Sequence, residues 1–195
     1  MFRKIITLLG FVGLAGCTTV TAPLPNAVSD WPFDNKDKVT FVLSEDAVIN
    51  ADKTGATGDK SNGDVLLIDI QKNSPANELS YLDNNQLHKA KIWFKKSPTE
   101  KDTYAFAFSL PLSEKDKPET AEDIEMMNTA IYSRGVFVKK EGQMIFQTYV
   151  LQCPADRVQK QTDCPYKTEA EAWNAALTLP IDGDSEKDNI PFIVK

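Results

Sequence analysis

The sequence predicts an α+β domain: an antiparallel sheet, curled or forming an open barrel, with two short helices. Two observations carry this. Short stretches rich in β-branched and aromatic residues recur along the chain, several separated by connections of hairpin length. Two other stretches repeat their apolar residues with a helical period.

The strands follow in order. Val39-Thr40-Phe41-Val42-Leu43 and Val65-Leu66-Leu67-Ile68-Asp69-Ile70 are bounded by polar or glycine-bearing segments. Residues 90–95 and 103–110 flank the turn-like Lys96-Ser97-Pro98-Thr99-Glu100-Lys101-Asp102. In the second of these, alternation places Tyr104, Phe106, Phe108 and Leu110 on one face, predicted to be core, and small Ala105, Ala107 and Ser109 on the other. Residues 132–138 and 144–151 flank Lys139-Lys140-Glu141-Gly142-Gln143, where Gly142 can take the positive φ of a tight connection. Ile190-Pro191-Phe192-Ile193-Val194 reads as a last strand, placed at a sheet edge because proline lacks the ladder donor.

Both helices rest on stripes and terminal chemistry. Over 120–131, Ala121, Ile124, Met127 and Ile131 form one stripe, and acids crowd the first turn, where the helix dipole favours them. Thr168-Glu169-Ala170-Glu171 fits a capping box, with Ala170, Trp173, Ala176 and Leu177 as the buried stripe behind it.

The start of the chain has a different character. Basic Arg3-Lys4 precedes an apolar run over 5–13 and the small-residue sequence Leu14-Ala15-Gly16-Cys17, the three parts of a secretory signal peptide. The run is too short to span a bilayer, which takes about 20 apolar residues. Leu14-Ala15-Gly16-Cys17 closely resembles the lipobox of bacterial lipoproteins. That resemblance implies cleavage before Cys17 and transfer of a diacylglycerol group to its thiol. It also implies a further acyl chain, such as palmitate, on the new amino terminus. Two or three chains make attachment effectively stable, where one gives only marginal binding. An aspartate after the cysteine tends to retain enterobacterial lipoproteins at the inner membrane. This chain has Thr18 there, which implies outer-membrane sorting with the folded part facing the periplasm.

The expected organisation is a signal peptide over 1–16, a lipidated N-terminus and flexible tether over 17–30, and one globular domain over 31–195. Cleavage leaves 179 of the 195 residues, enough for one core. Residues 18–29 are polar and proline-spaced, a composition that buries too little to offset its ordering entropy. The chain carries 28 acidic and 22 basic residues, and removal of Arg3 and Lys4 leaves the mature part near minus eight. Such a balance argues against nucleic acid as a partner, because phosphates demand clustered Lys and Arg.

Few residues suggest chemistry. Cys153 and Cys164, left once Cys17 is lipidated, are predicted to form a disulfide in an oxidising compartment. Ten residues lie between them, unlike a redox pair, and zinc would want further ligands nearby. His88 is the one histidine and has no neighbouring nucleophile, so it reads as an exposed loop residue. Gly55-Ala56-Thr57-Gly58-Asp59-Lys60-Ser61 lacks the residue order of a phosphate loop. Asp182-Gly183-Asp184-Ser185-Glu186-Lys187-Asp188 has alternate acids, but Lys187 stands where a calcium loop needs glycine and Ile193 where it needs an acid. Lys89, Lys91, Lys95 and Lys96 around Ile92-Trp93-Phe94 read as protection of a sheet edge, with a binding surface as the alternative should Trp93 be exposed.

No catalytic, cofactor or metal motif emerges, so an enzyme is not expected. A protein-binding or assembly module held to the membrane through Cys17, its partner unidentified, is the first expectation. The alternative is a carrier of a lipid or other apolar ligand, with Phe106, Phe108 and Phe146 lining its cavity. A hydrolase using a carboxylate pair ranks third.

Overall fold

Period-two alternation runs through most of the chain and closes a sheet on itself. The computed structural model describes residues 20–43, 66–83, 86–109, 112–113, 124, 127–149, 164–178 and 190–195. In chain order the strands are β1 (Val20–Pro23), β2 (Lys38–Leu43), β3 (Leu66–Gln71), β4 (Asn77–Asp83), β5 (Gln86–Lys96), β6 (Thr103–Ser109) and β7 (Leu112–Ser113). They are followed by β8 (Thr129–Lys140), β9 (Gln143–Tyr149), β10 (Cys164–Pro165), the helix α1 (Glu169–Thr178) and β11 (Ile190–Val194).

Strands β2, β3, β4, β5, β6, β8, β9 and β11 pair successively and antiparallel, and β11 returns to β2 to close the ring. The product is a closed eight-stranded antiparallel barrel. Its long strands are shared between neighbours: β5 pairs β4 through residues 86–92 and β6 through residues 92–96. This stagger is what a closed, tilted barrel requires. The barrel corrects the α+β expectation, since the fold is mostly β and has one helix among the described residues.

The expected helix over 120–131 does not run to its predicted end, for a local reason. Ile124 and Met127 are helical, and Asn128 N–H donates to Ile124 O. Thr129 then opens β8, and Ile131 faces the barrel opposite Phe108. Ile124 is 52% exposed, so the stripe that joined it to Ile131 does not exist. Pairing of a β-branched segment on two sides outweighs its helical period.

β11 is not an edge strand. It pairs β9 along its whole length and β2 at Ile193 and Val194, and Lys195 extends the second ladder through both its N–H and C=O to Thr40. Among the described residues nothing on β2 pairs with Pro191, so the missing donor removes no bond from that ladder.

The segment over 20–30, expected as tether, belongs to the folded body. β1 pairs antiparallel with β8 and parallel with β10. Glu169 at the start of α1 accepts from Asn26 N–H (2.9 Å) and Ala27 N–H (3.4 Å), and also from Trp173 Nε1–H (3.0 Å). α1 lies over the outer face of β1, β6 and β8. Ala22, Ala105, Ala107 and Ala130 floor its seat, while Ala172, Trp173, Ala175 and Ala176 cover them. The expected stripe shifts accordingly: Ala170 is exposed and Leu177 half-buried, because a floor of small side chains admits the alanine face closely. Glu171 N–H donates to Thr168 Oγ1 (3.3 Å), one half of the expected cap.

Candidate functional site in the barrel interior

Register decides which side chains enter the barrel. Directly opposite residues in an antiparallel pair share a face, so Tyr104, Phe106 and Phe108 point inward with Phe94, Ile92 and Ser133. The inward set continues through Phe137, Phe146 and Phe192, then Phe41, Ile68 and Tyr81, and returns to β5 at His88. Phe146 is the hub. Its ring lies 4.5 Å from Phe137, 5.4 Å from Phe41 and Phe106, and 6.1 Å from Phe94. Gly135 makes room for it, since a methyl there would collide with the Phe146 ring.

The two ends differ. At one end the strands connect through 72–76, 97–102 and the two-residue turn Glu141-Gly142, where both residues have positive φ (53° and 81°), as a type I′ hairpin needs. The segment after β1 crosses this end. Ser29 Oγ accepts from Phe94 N–H (2.9 Å) and Asn77 Nδ2 (2.8 Å), and Asp30 Oδ2 accepts from Lys96 N–H (2.8 Å). Phe33 then seals the barrel, packing edge-on against Phe41, Phe94 and Phe137, with Trp31 behind it. Trp31 Nε1–H is fixed by Lys36 O at 2.6 Å.

At the opposite end the inward residues Leu43, Leu66, Ile68, Phe108, Ile131 and Ile190 are all half-buried. By contrast Val39, Ile70, Phe94 and Phe146, toward the sealed end and middle, are buried. His88 belongs to this upper region. It is 5% exposed, its ring stacks on Tyr81 at 5.1 Å, and its Nδ1 has no hydrogen-bond partner. This overturns its reading as an exposed loop residue. Strand alternation through Gln86-Leu87-His88-Lys89-Ala90-Lys91-Ile92 was the sequence signal that could have placed it inside.

The outer wall is mostly polar, with Lys38 paired to Asp69 (2.7 Å) and Lys89 to Glu78 (3.5 Å). Lys38, together with Thr40, holds the Asp69 carboxyl below the usual carboxylate range. Among the described residues no helix is long and apolar enough to cross a membrane. An apolar interior inside a charged wall is also the reverse of a transmembrane barrel. One outward row is nevertheless apolar. Val138, Ile145, Ile193, Val42 and Leu67 lie opposite one another in turn, and Leu82 lies opposite Leu87. Leu67, Leu82 and Leu87 are exposed where this row reaches the half-covered end. The adjacent row, through Lys140, Gln143, Thr40, Asp69, Ser80 and Lys89, is polar throughout.

Other sequence candidates fall elsewhere. Trp93 is 3% exposed within the cluster beneath α1, and β5 is paired on both sides, so neither an exposed binding surface nor an edge strand is present there. Lys95 instead lies over the Trp173 ring at 5.8 Å. Of the predicted lining, Phe106 and Phe146 pack against each other in the filled middle and Phe108 stands at the half-covered end. Cys17, Cys153, the 55–61 loop and the 182–188 acidic loop lie outside the described residues, while Cys164 begins β10 opposite Val20. Compared with protein-family models, with curated proteins and with solved structures, the chain matches none.

Proposed function

We propose that the protein is a carrier or binding module for an apolar ligand, held through lipid on Cys17 at the periplasmic face of the outer membrane. One observation carries the reading: the barrel is sealed at the Phe33 end, while a ring of inward apolar residues at the opposite end remains half-covered. A closed barrel with one sealed end is a container, and apolar ligands favour concave, largely preformed sites of this kind.

The protein-docking reading keeps one observation of its own, the exposed row of Leu67, Leu82 and Leu87 beside the same end. It adds a contact surface to the carrier rather than replacing it.

Extraction of the protein purified from membranes, followed by mass spectrometry, tests the carrier. A stoichiometric apolar compound is expected, and a protein that neither retains one nor takes up an apolar fluorescent probe refutes the reading. Labelling cells with a palmitate analogue tests the anchor: the label is expected on the intact chain and lost in Cys17→Ser.

A further inference from the structure

We infer that His88 is the polar end of this binding site and that the ligand is an aliphatic carboxylic acid. The inference rests on the carrier reading and adds the ligand's head group to it. Three other inward-facing polar side chains have partners. Asn77 bonds Ser29 Oγ and Asn73 N–H, Ser133 Oγ donates to Tyr149 O, and Thr148 Oγ1 donates to Ile190 O. Nδ1 of His88 is left without a partner, on a strand face that it shares with Ala90 and Ile92 and opposite Tyr81 on one side and Ser113 on the other. The other orphaned ring nitrogen, Nε1 of Trp93, sits on the outer face beneath α1 and does not share this space.

A buried ring nitrogen without a partner costs free energy that any apolar residue of the same shape would avoid. A phenylalanine would stack on Tyr81 equally well, so packing does not account for a histidine. A ligand head supplies the missing partner. A neutral imidazole offers one N–H donor, and a carboxylate oxygen is the strongest acceptor for it because a charge-assisted bond is about twice as strong as a neutral one. The alkyl chain then lies along the half-buried Ile68, Phe108 and Ile131.

The test equilibrates the full chain with an equimolar mixture of dodecanoic acid, dodecanol and dodecane and quantifies what is bound by mass spectrometry. The acid is expected over the alkane by about tenfold, the ratio that one hydrogen bond to a charged group supplies. His88→Phe keeps the ring and its stack, so uptake of dodecane is expected to persist while the preference for acid disappears. His88→Gln, which retains a donor, is expected to restore part of it. Equal uptake of acid and alkane by the unaltered protein, a preference for the alcohol, or an acid preference that survives in His88→Phe would each overturn the assignment. Uptake of none of the three would instead refute the carrier, and the assignment with it.

Discussion

At the scale of single residues, two glycines of the β8–β9 hairpin illustrate different constraints. Gly135 has ordinary strand geometry but touches the Phe146 ring, whereas Gly142 has open space around it and a φ of 81°. Gly135→Ala is expected to cost about 2–3 kcal/mol by overpacking a ring that its neighbours hold in place. Gly142→Ala is expected to cost about 1 kcal/mol through backbone strain alone. Urea unfolding separates them, and only Gly135→Ala should also disturb the aromatic circular dichroism of the core.

Tyr132 supplies a second residue-scale prediction. Its hydroxyl donates to Pro23 O at 2.8 Å, and burial, with Glu169 nearby, pushes its pKa well above the ordinary value. Burial and the carboxylates of Asp102, Asp30 and Asp34 raise Tyr104 too. Because both are raised in the folded state, their contribution is intact below the unfolded value of 10.0 and is lost as pH rises above it. Stability is expected to fall between pH 10 and 11, by up to about 1.4 kcal/mol through Tyr132, with Tyr104 acting in the same direction. Tyr132→Phe should flatten that slope while losing about 1 kcal/mol at neutral pH, measured by urea unfolding across the range.

At the scale of elements, α1 and β1 form an outer layer that depends on few groups. Trp173 packs edge-on against Tyr132 at 4.9 Å and is bonded to Glu169, which also holds the segment after β1. Trp173→Ala is expected to cost about 3–5 kcal/mol. Hydrogen exchange is the informative measurement: β1 and α1 should open ahead of β3 and β4, since those strands touch none of the lost contacts.

Legibility in the sequence also divides by element. Alternating bulky and small residues made β6 plain, and Gly142 marked the hairpin between β8 and β9. β4 was not legible, because Asn-Glu-Leu-Ser-Tyr-Leu-Asp carries only two large apolar residues inward, Leu79 and Tyr81, among polar ones. β1 was hidden for a related reason. Its four residues have no core period of their own and become a strand only against β8 and β10.

At the scale of the whole molecule, the barrel has a sealed end and a half-covered end. Phe33→Ala is expected to lower stability by about 3–5 kcal/mol while leaving uptake of apolar ligand at the opposite end unchanged. Phe108→Asp is expected to do the reverse, abolishing uptake at modest cost to stability, because a charge at a half-buried position reaches water. Calorimetry paired with a ligand-uptake assay checks both, and a common loss of uptake would show that the two ends are not independent.

The sequence by itself determined the strand faces, the tight hairpin and the lipobox-like start, because each depends on residues within one or two turns of chain. Closure of the barrel, the seating of β1 and α1 and the sealing by Phe33 were decided by tertiary structure. Those features arise from register between strands far apart in the chain. A shift of one residue in the pairing of β11 with β2 would have set Val194 and Phe41 on opposite faces, a choice that only packing of the whole barrel can make.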